Sequence, residues 1–212
     1  MSQIQHDARR TSDLLRDITT SPHQGDVSIG DFVSLLGDRS FALVILIFAL
    51  PNAVPVPGIP GFSTLTGVPI MLLALQIALG RDTIWLPERV AKKRFSCTFL
   101  TKVINKAMPA MLWIEKCLHP RWVWVCEGIS ERAIGMLIVV LAAILALPMP
   151  GGNFLPGLSI LLLALALLEK DGKLALAGVI FSVGSIVFMY KVIVFVITSL
   201  AGWFINIMGA LL

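Results

Sequence analysis

Asp, Glu, Lys and Arg are absent from residues 41 to 80 and again from 133 to 168. Two further uncharged runs, 174 to 190 and 192 to 212, are separated only by Lys191. Apolar runs at or above about 18 residues are long enough to cross a bilayer. Their recurrence excludes an ordinary soluble core protein, in which polar faces interrupt such stretches. Charged residues make up 14% of the chain against 57% hydrophobic ones, and mean hydropathy is +0.87. The expectation is an all-α integral membrane protein.

Metal- and nucleophile-bearing residues are as scarce as charge. His6, His23 and His119 are scattered, and the three cysteines, Cys97, Cys117 and Cys126, form no CxxC pair. No HExxH, no Cys/His ligand spacing, no G-x-S-x-G elbow and no phosphate loop occurs. The chain is therefore expected to be no enzyme and to use no cofactor or metal. The cysteines read as reduced thiols on the cytoplasmic side, behaving as small apolar residues. The polar start "MSQIQHDARRTSDLLRDI" lacks the apolar core of a secretion signal, so the run from Phe41 is expected to direct insertion.

What charge there is lies unevenly. Residues 1 to 40 carry four Arg and six Asp, whereas 81 to 132 carry ten Lys or Arg against five acids. An excess of Lys and Arg beside spans marks the cytoplasmic face and attracts anionic lipid. Trp85, Trp113, Trp122 and Trp124 fall in the same segment, as interfacial aromatics do. Residues 108 to 126 are apolar in patches but interrupted by Glu115, Lys116, His119 and Arg121. They are expected to lie along the membrane surface, with a crossing helix as the alternative.

The apolar parts repeat. "GDRSFALVIL" (37–46) and "SERAIGMLIV" (130–139) each place an acid, an arginine and an apolar run, and Pro55, Pro57 and Gly58 recur as Pro148, Pro150 and Gly151. "GVPIMLLAL" (67–75) then matches "GLSILLLAL" (157–165), and the units close on Arg81-Asp82 and Lys170-Asp171. Each unit reads as a hairpin: charged start, helix, Pro/Gly break, helix, charged end. The segments are short for a ~30 Å hydrocarbon core, which favours re-entrant hairpins over two full spans. Non-helical backbone at membrane depth must be buried in protein or line a cavity. That requirement accounts for the greasy break "PNAVPVPGIPG" (51–61).

The candidate substrate-binding residues are the polar groups at the two breaks, Asn52, Ser63, Thr64, Thr66, Asn153 and Ser159, together with Arg39 and Arg132 at matching starts of the units. Ser63 or Thr64, and Asn153, are expected to cap the following half-helices. Paired half-helices presenting N-termini favour anions, while the plainer reading is that these side chains satisfy backbone at a turn. Arg39 and Arg132 serve either as interface anchors or as ligands of an anionic head group.

The organisation expected is thus 1–37, cytoplasmic amphipathic helices, with Ser28 and Asp31 forming a capping box that ends at Gly37; 38–82, the first membrane hairpin; 83–130, a basic interfacial linker; 131–171, the second hairpin; and 172–212, one or two C-terminal transmembrane helices. In the tail, Gly178, Ser182 and Ser185, and again Ser199, Gly202, Asn206 and Gly209, form small-residue stripes suited to close helix approach. Lys191 reads as a snorkelling boundary residue.

"FALPNAVPVPGIPGFSTLTGVPIMLLALQIALGRD", "WLPERV" and "LALPMPGGNFLPGLSILLLALALLEKDG" together resemble the ExoD family of bacterial exopolysaccharide-synthesis membrane proteins. The resemblance runs from about residue 28 to about 190. It implies a multi-pass protein of the bacterial inner membrane tied to exopolysaccharide production, and supplies no catalytic residues to carry over. The function expected is transporter-like movement of an anionic solute, an ion or a lipid-linked phosphate. A non-transporting accessory subunit of the synthesis machinery is the alternative. Membrane lipid, polysaccharide-synthesis proteins and further copies of the chain are the expected partners, and nucleic acid is not.

Overall fold

The structure is a computed structural model that describes residues 27–28, 30, 37, 39–53, 62–81, 83–85, 94–95, 109, 112, 116, 118, 121–147 and 153–211. Residues 1–26 of the expected amphipathic segment 1–37, both Pro/Gly break centres, Trp113, Cys97, Cys117 and most of 108–120 lie outside the described residues.

Five helices are described from end to end. Helix α1 is Arg39–Ala49 and runs into a 3-10 turn, Leu50–Ala53. Helix α2 is Phe62–Ala78, α3 is Ile129–Ala146, α4 is Phe154–Glu169 and α5 is Gly172–Leu211. One two-residue antiparallel pair, β1 (Val27–Ser28) with β2 (Arg94–Phe95), ties the N-terminal segment to the basic linker. Ser28, expected as a capping residue, is a strand residue opposite Arg94, while Asp31 lies outside the described residues.

Both second helices end in the same way. Gly80 and Lys170 take left-handed backbone, φ 72° and 51°. The next N–H reaches back five residues, Arg81 to Gln76 O at 3.1 Å and Asp171 to Ala166 O at 3.0 Å. This satisfies carbonyls that the helix end would leave bare. At Lys170 the conformation costs roughly 1–2 kcal/mol relative to a right-handed one.

The four helices interlock: α2 packs chiefly on α3, and α1 on α4. Glycines set the approach. A β-carbon on Gly67 would lie 3.1 Å from Ala142 O and Ala146 N, and one on Gly157 2.8 Å from Asn52 C, Cβ and O. Ile45, Ile70, Ile138, Leu141, Leu145, Ile160 and Leu163 close the core between them.

Outside this core the helices are apolar toward their surroundings, with Leu65, Leu79, Met136, Ile180 and Phe195 exposed. Two helices, α3 and the Gly172–Ser199 part of α5, are long and apolar enough to cross a membrane, and only 33% and 17% of those windows are buried. Core helices of a soluble protein would be mostly buried, so these mark a membrane protein. At 1.5 Å per residue, α2, α3 and α4 measure about 24–27 Å and α5 about 60 Å.

The C-terminal tail, expected as one or two transmembrane helices, is a single helix of 40 residues. No proline falls within it, and isolated glycines are tolerated in a helix at about 1 kcal/mol each. Gly178, Ser182 and Ser185 are buried, and Gly178 faces Leu163 of α4, as the small-residue stripe predicts. Ser199 and Gly202 are exposed, with nothing near Gly202 for a β-carbon to meet. Lys191 is exposed on the unbroken helix.

Candidate functional site

The predicted polar residues fall at two opposite ends of the bundle. Asn52 follows Arg39 by thirteen positions, roughly 20 Å along α1 and its 3-10 extension. At the break end the buried Asn52 amide donates to Thr66 Oγ1 at 2.8 Å and to Phe48 O at 3.1 Å. Thr66 in turn donates within its own helix, with the carbonyls of Phe62 and Ser63 at 3.2 and 3.1 Å. Asn52 and Thr66 thereby join the two arms of the first hairpin just below its break.

Ser63 and Thr64 lie inside the first turn of α2, not at its cap. Thr64 Oγ1 instead donates to Ala146 O at 2.7 Å, satisfying a carbonyl at the C-terminal end of α3 in the other hairpin. Asn153 does hold the cap position of α4, but its backbone is right-handed helical and its side chain makes no cap bond. Its Oδ1 is buried with no hydrogen-bond partner among the described residues. Ser159 is fully buried and donates to Leu155 O at 2.8 Å.

The charged end holds Arg39 and Arg132. A cavity of about 290 Å³ opens there between Arg39, Phe41, Ile77, Cys126, Glu127, Glu131, Leu167 and Lys170. A second, of about 130 Å³, adjoins it through Phe41, Ile77, Gly128 and Glu131 and reaches Gly80, Arg81 and Arg132. The starts of α1 and α3 and the ends of α2 and α4 therefore meet at one end of the bundle, where their charged residues line a shared cleft. Ile77 and Leu167 occupy matching places in the two sequence units, as do Arg39 and Arg132.

Local structure positions the cleft walls. Arg132 lies over the end of α2, where a β-carbon on Gly80 would be 2.5 Å from its Nη2. A cation there faces the negative end of the helix dipole. Lys170 Nζ donates to Glu127 Oε1 at 2.9 Å. Asp171 is the true N-cap of α5: its Oδ1 accepts from the N–H groups of Lys173 and Leu174 at 3.0 and 3.3 Å. Gly172 N–H donates to Arg121 O at 2.6 Å, and Lys173 Nζ stands 5.9 Å from the Trp122 ring centroid. These contacts hold segment 121–126 against the start of α5.

Cys126 is buried and free. Burial pushes its thiol up to about 11, with the charges of Asp171, Glu131 and Glu127 acting in the same direction and Lys170 opposing. It is a packed apolar group and not a nucleophile at neutral pH. Among the described residues no group of three or more His, Cys, Asp or Glu is placed to hold a metal.

Sequence reasoning singled out Arg39 and Arg132 but not Glu127, Glu131, Arg81 or Lys170 as their neighbours. The acid–Arg pairs at the unit starts and the basic–acidic pairs at the unit ends were visible. Only the interlocked packing brings the four ends around one opening.

Comparison with known proteins gives one family. The family model described as "Exopolysaccharide synthesis, ExoD" matches residues 11–191. The chain is 33% identical over 186 residues to the uncharacterized protein slr1875 of Synechocystis sp., covering 87% of each chain. It is 30% identical over 184 residues to Protein ExoD of Rhizobium meliloti, covering 85% of this chain and 76% of that one. No solved structure matches it.

Proposed function

The chain belongs to the ExoD family, and on that premise we propose that it serves exopolysaccharide synthesis or export as a transporter-like, multi-pass protein of the bacterial inner membrane. Its cargo is an anionic solute, an ion or a lipid-linked phosphate, moved between two re-entrant, broken-helix repeats. The observation that supports this most is the interlocked packing of α1 on α4 and α2 on α3. Many secondary transporters place their substrate at the seam between repeats that move against one another. With both charged ends on one side, the repeats are of the parallel kind, related by an axis along the membrane normal.

At the other end of the seam, the N-termini of α2 and α4 offer partial positive charge beside Asn52, Thr66 and Asn153. Helices α1, α2 and α4, of about 16–26 Å, fall short of a ~30 Å core, which suits a turn inside the membrane. The positive-inside bias of segment 81–132 sets the charged end on the cytoplasmic side. The mechanism uses shape and charge and needs no cofactor or covalent chemistry.

Flux in proteoliposomes of the purified chain tests this reading. Movement of a polyprenyl phosphate or an anion is expected, and paired substitution of Asn52 and Asn153, or of Arg39 and Arg132, should abolish it with the fold intact. No flux of any such cargo through a folded protein would sink it. The second reading, a non-transporting accessory or regulatory subunit, draws support from the exposed Trp122, Trp124 and Arg121 on the basic linker, a surface suited to synthesis proteins or to lipid. Retention of the synthesis machinery with no flux is its expected signature.

A further inference from the structure

The cleft at the charged end has a composition that the transport reading uses only through Arg39 and Arg132. Four cationic side chains, Arg39, Arg81, Arg132 and Lys170, line its two lobes against two carboxylates, Glu127 and Glu131. The excess of two positive charges equals the charge of a phosphate monoester near neutral pH, about −1.5 to −2. Its larger lobe, about 290 Å³, is near the lower end of the range for small-ligand sites. It admits a head group and not a whole lipid.

The surroundings fix where the mouth sits. Trp85, Trp122 and Trp124 are 63%, 52% and 71% exposed, and Ile129, two residues from Glu127, is 85% exposed. All four belong to the segments that border the cleft. Exposed tryptophans beside charged residues settle at the head-group level of a bilayer. The floor is apolar, formed by Phe41, Ile77 and Leu167 at the meeting of the two hairpins. An opening bordered by such tryptophans is expected at head-group depth, with Arg39, Arg81 and Arg132 in its lining beside the apolar Phe41, Ile77 and Leu167.

We propose that this cleft binds the phosphate-monoester head group of a membrane lipid, its acyl or prenyl chains remaining in the bilayer. Arg39 and Arg132, one from each hairpin, hold the phosphate from two sides, since guanidinium offers paired donors to phosphate oxygens. Arg81 adds charge at the mouth. Glu127, paired with Lys170 at 2.9 Å, and Glu131 line the cleft as well, which leaves the arginines to meet the phosphate. A lipid bound here need not cross the membrane, so the site can exist whether or not the protein transports.

The test is equilibrium binding to the full chain in detergent, read by titration calorimetry. The probes are short-chain phosphatidic acid, phosphatidylcholine of the same chains, and inorganic phosphate. Phosphatidic acid should bind, phosphatidylcholine should not, and inorganic phosphate should bind at least about tenfold more weakly. Joint Arg39→Gln and Arg132→Gln should weaken phosphatidic acid by at least about tenfold, as loss of charge-assisted bonds does. If that variant misfolds, Arg81→Gln, at an exposed position, should still weaken binding several-fold.

Equal binding of phosphatidylcholine, or unchanged binding in folded arginine variants, overturns the proposal. Inorganic phosphate binding as tightly as phosphatidic acid overturns the lipid source. Binding without flux leaves this site standing and removes the transport reading, while flux with no binding in this cleft does the reverse.

Discussion

Replacing Gly157 by alanine tests the interlocked packing at its tightest point. The new β-carbon would sit 2.8 Å from Asn52 C, Cβ and O, atoms of the 3-10 turn that ends α1. Backbone at a turn has little room to give, so α4 and α1 must separate. Overpacking of this kind costs about 1–3 kcal/mol. Removing a helical glycine returns about 1 kcal/mol at most, leaving a net loss of up to about 3.

Gly67→Ala meets Ala142 O and Ala146 N at 3.1 Å, which a shift of a few tenths of an ångström relieves, so the two effects nearly cancel. Gly184→Ala, on the exposed face of α5, meets nothing within 4 Å and should gain roughly 0.5–1 kcal/mol from helix propensity. Thermal unfolding in detergent, followed by circular dichroism, should therefore rank Gly184→Ala above the parent, Gly67→Ala close to it, and Gly157→Ala below it. A Gly157→Ala protein that melts at or above the parent temperature refutes the close approach of α4 to the α1 terminus.

Asp171→Ala removes the N-cap of α5 and should cost about 1 kcal/mol, whereas Asp171→Asn keeps a capping oxygen and should cost less; both are read by the same melting experiment. Thr66→Val takes away the acceptor of the buried Asn52 amide and should destabilise by about 1–3 kcal/mol. Cys126, with its thiol raised to about 11, should resist maleimide at pH 7–8 until the protein is denatured. The unfolded thiol ionises at about 8.5, while the folded one is held protonated up to about 11. Rising pH therefore favours the unfolded state between the two values, so the contribution is intact below about 8.5 and falls as pH rises toward 11. The loss is worth about 1.4 kcal/mol per unit between the two values, seen as a drop in melting temperature that Cys126→Ala lacks.

The parts of the fold that local chemistry controls were legible in the sequence. Uncharged runs marked the helices, proline pairs marked where α1 and α3 stop, and Gly178, Ser182 and Ser185 marked the face of α5 that meets α4. Where the outcome depended on competition between local signals, the reading shifted. Ser63 and Thr64 are good capping residues, yet the helix begins one residue before Ser63, and Thr64 uses its hydroxyl on Ala146 of the other hairpin. Ser28 matched a capping box and instead pairs with Arg94. The candidate site was half visible: Arg39 and Arg132 stood out by position, whereas their carboxylate and lysine neighbours come from distant segments that only tertiary packing unites.

The central claim is that both hairpins open on one cytoplasmic face and share the cleft between their charged ends. Thr83 and Lys173, exposed just beyond the ends of the first and second hairpins, report on it most directly. With Cys97, Cys117 and Cys126 replaced by serine or alanine, single cysteines at these two positions should both react with an impermeant maleimide in inverted membrane vesicles and neither in intact spheroplasts. Labelling of the two positions from opposite sides would contradict the shared face, and the common cleft with it.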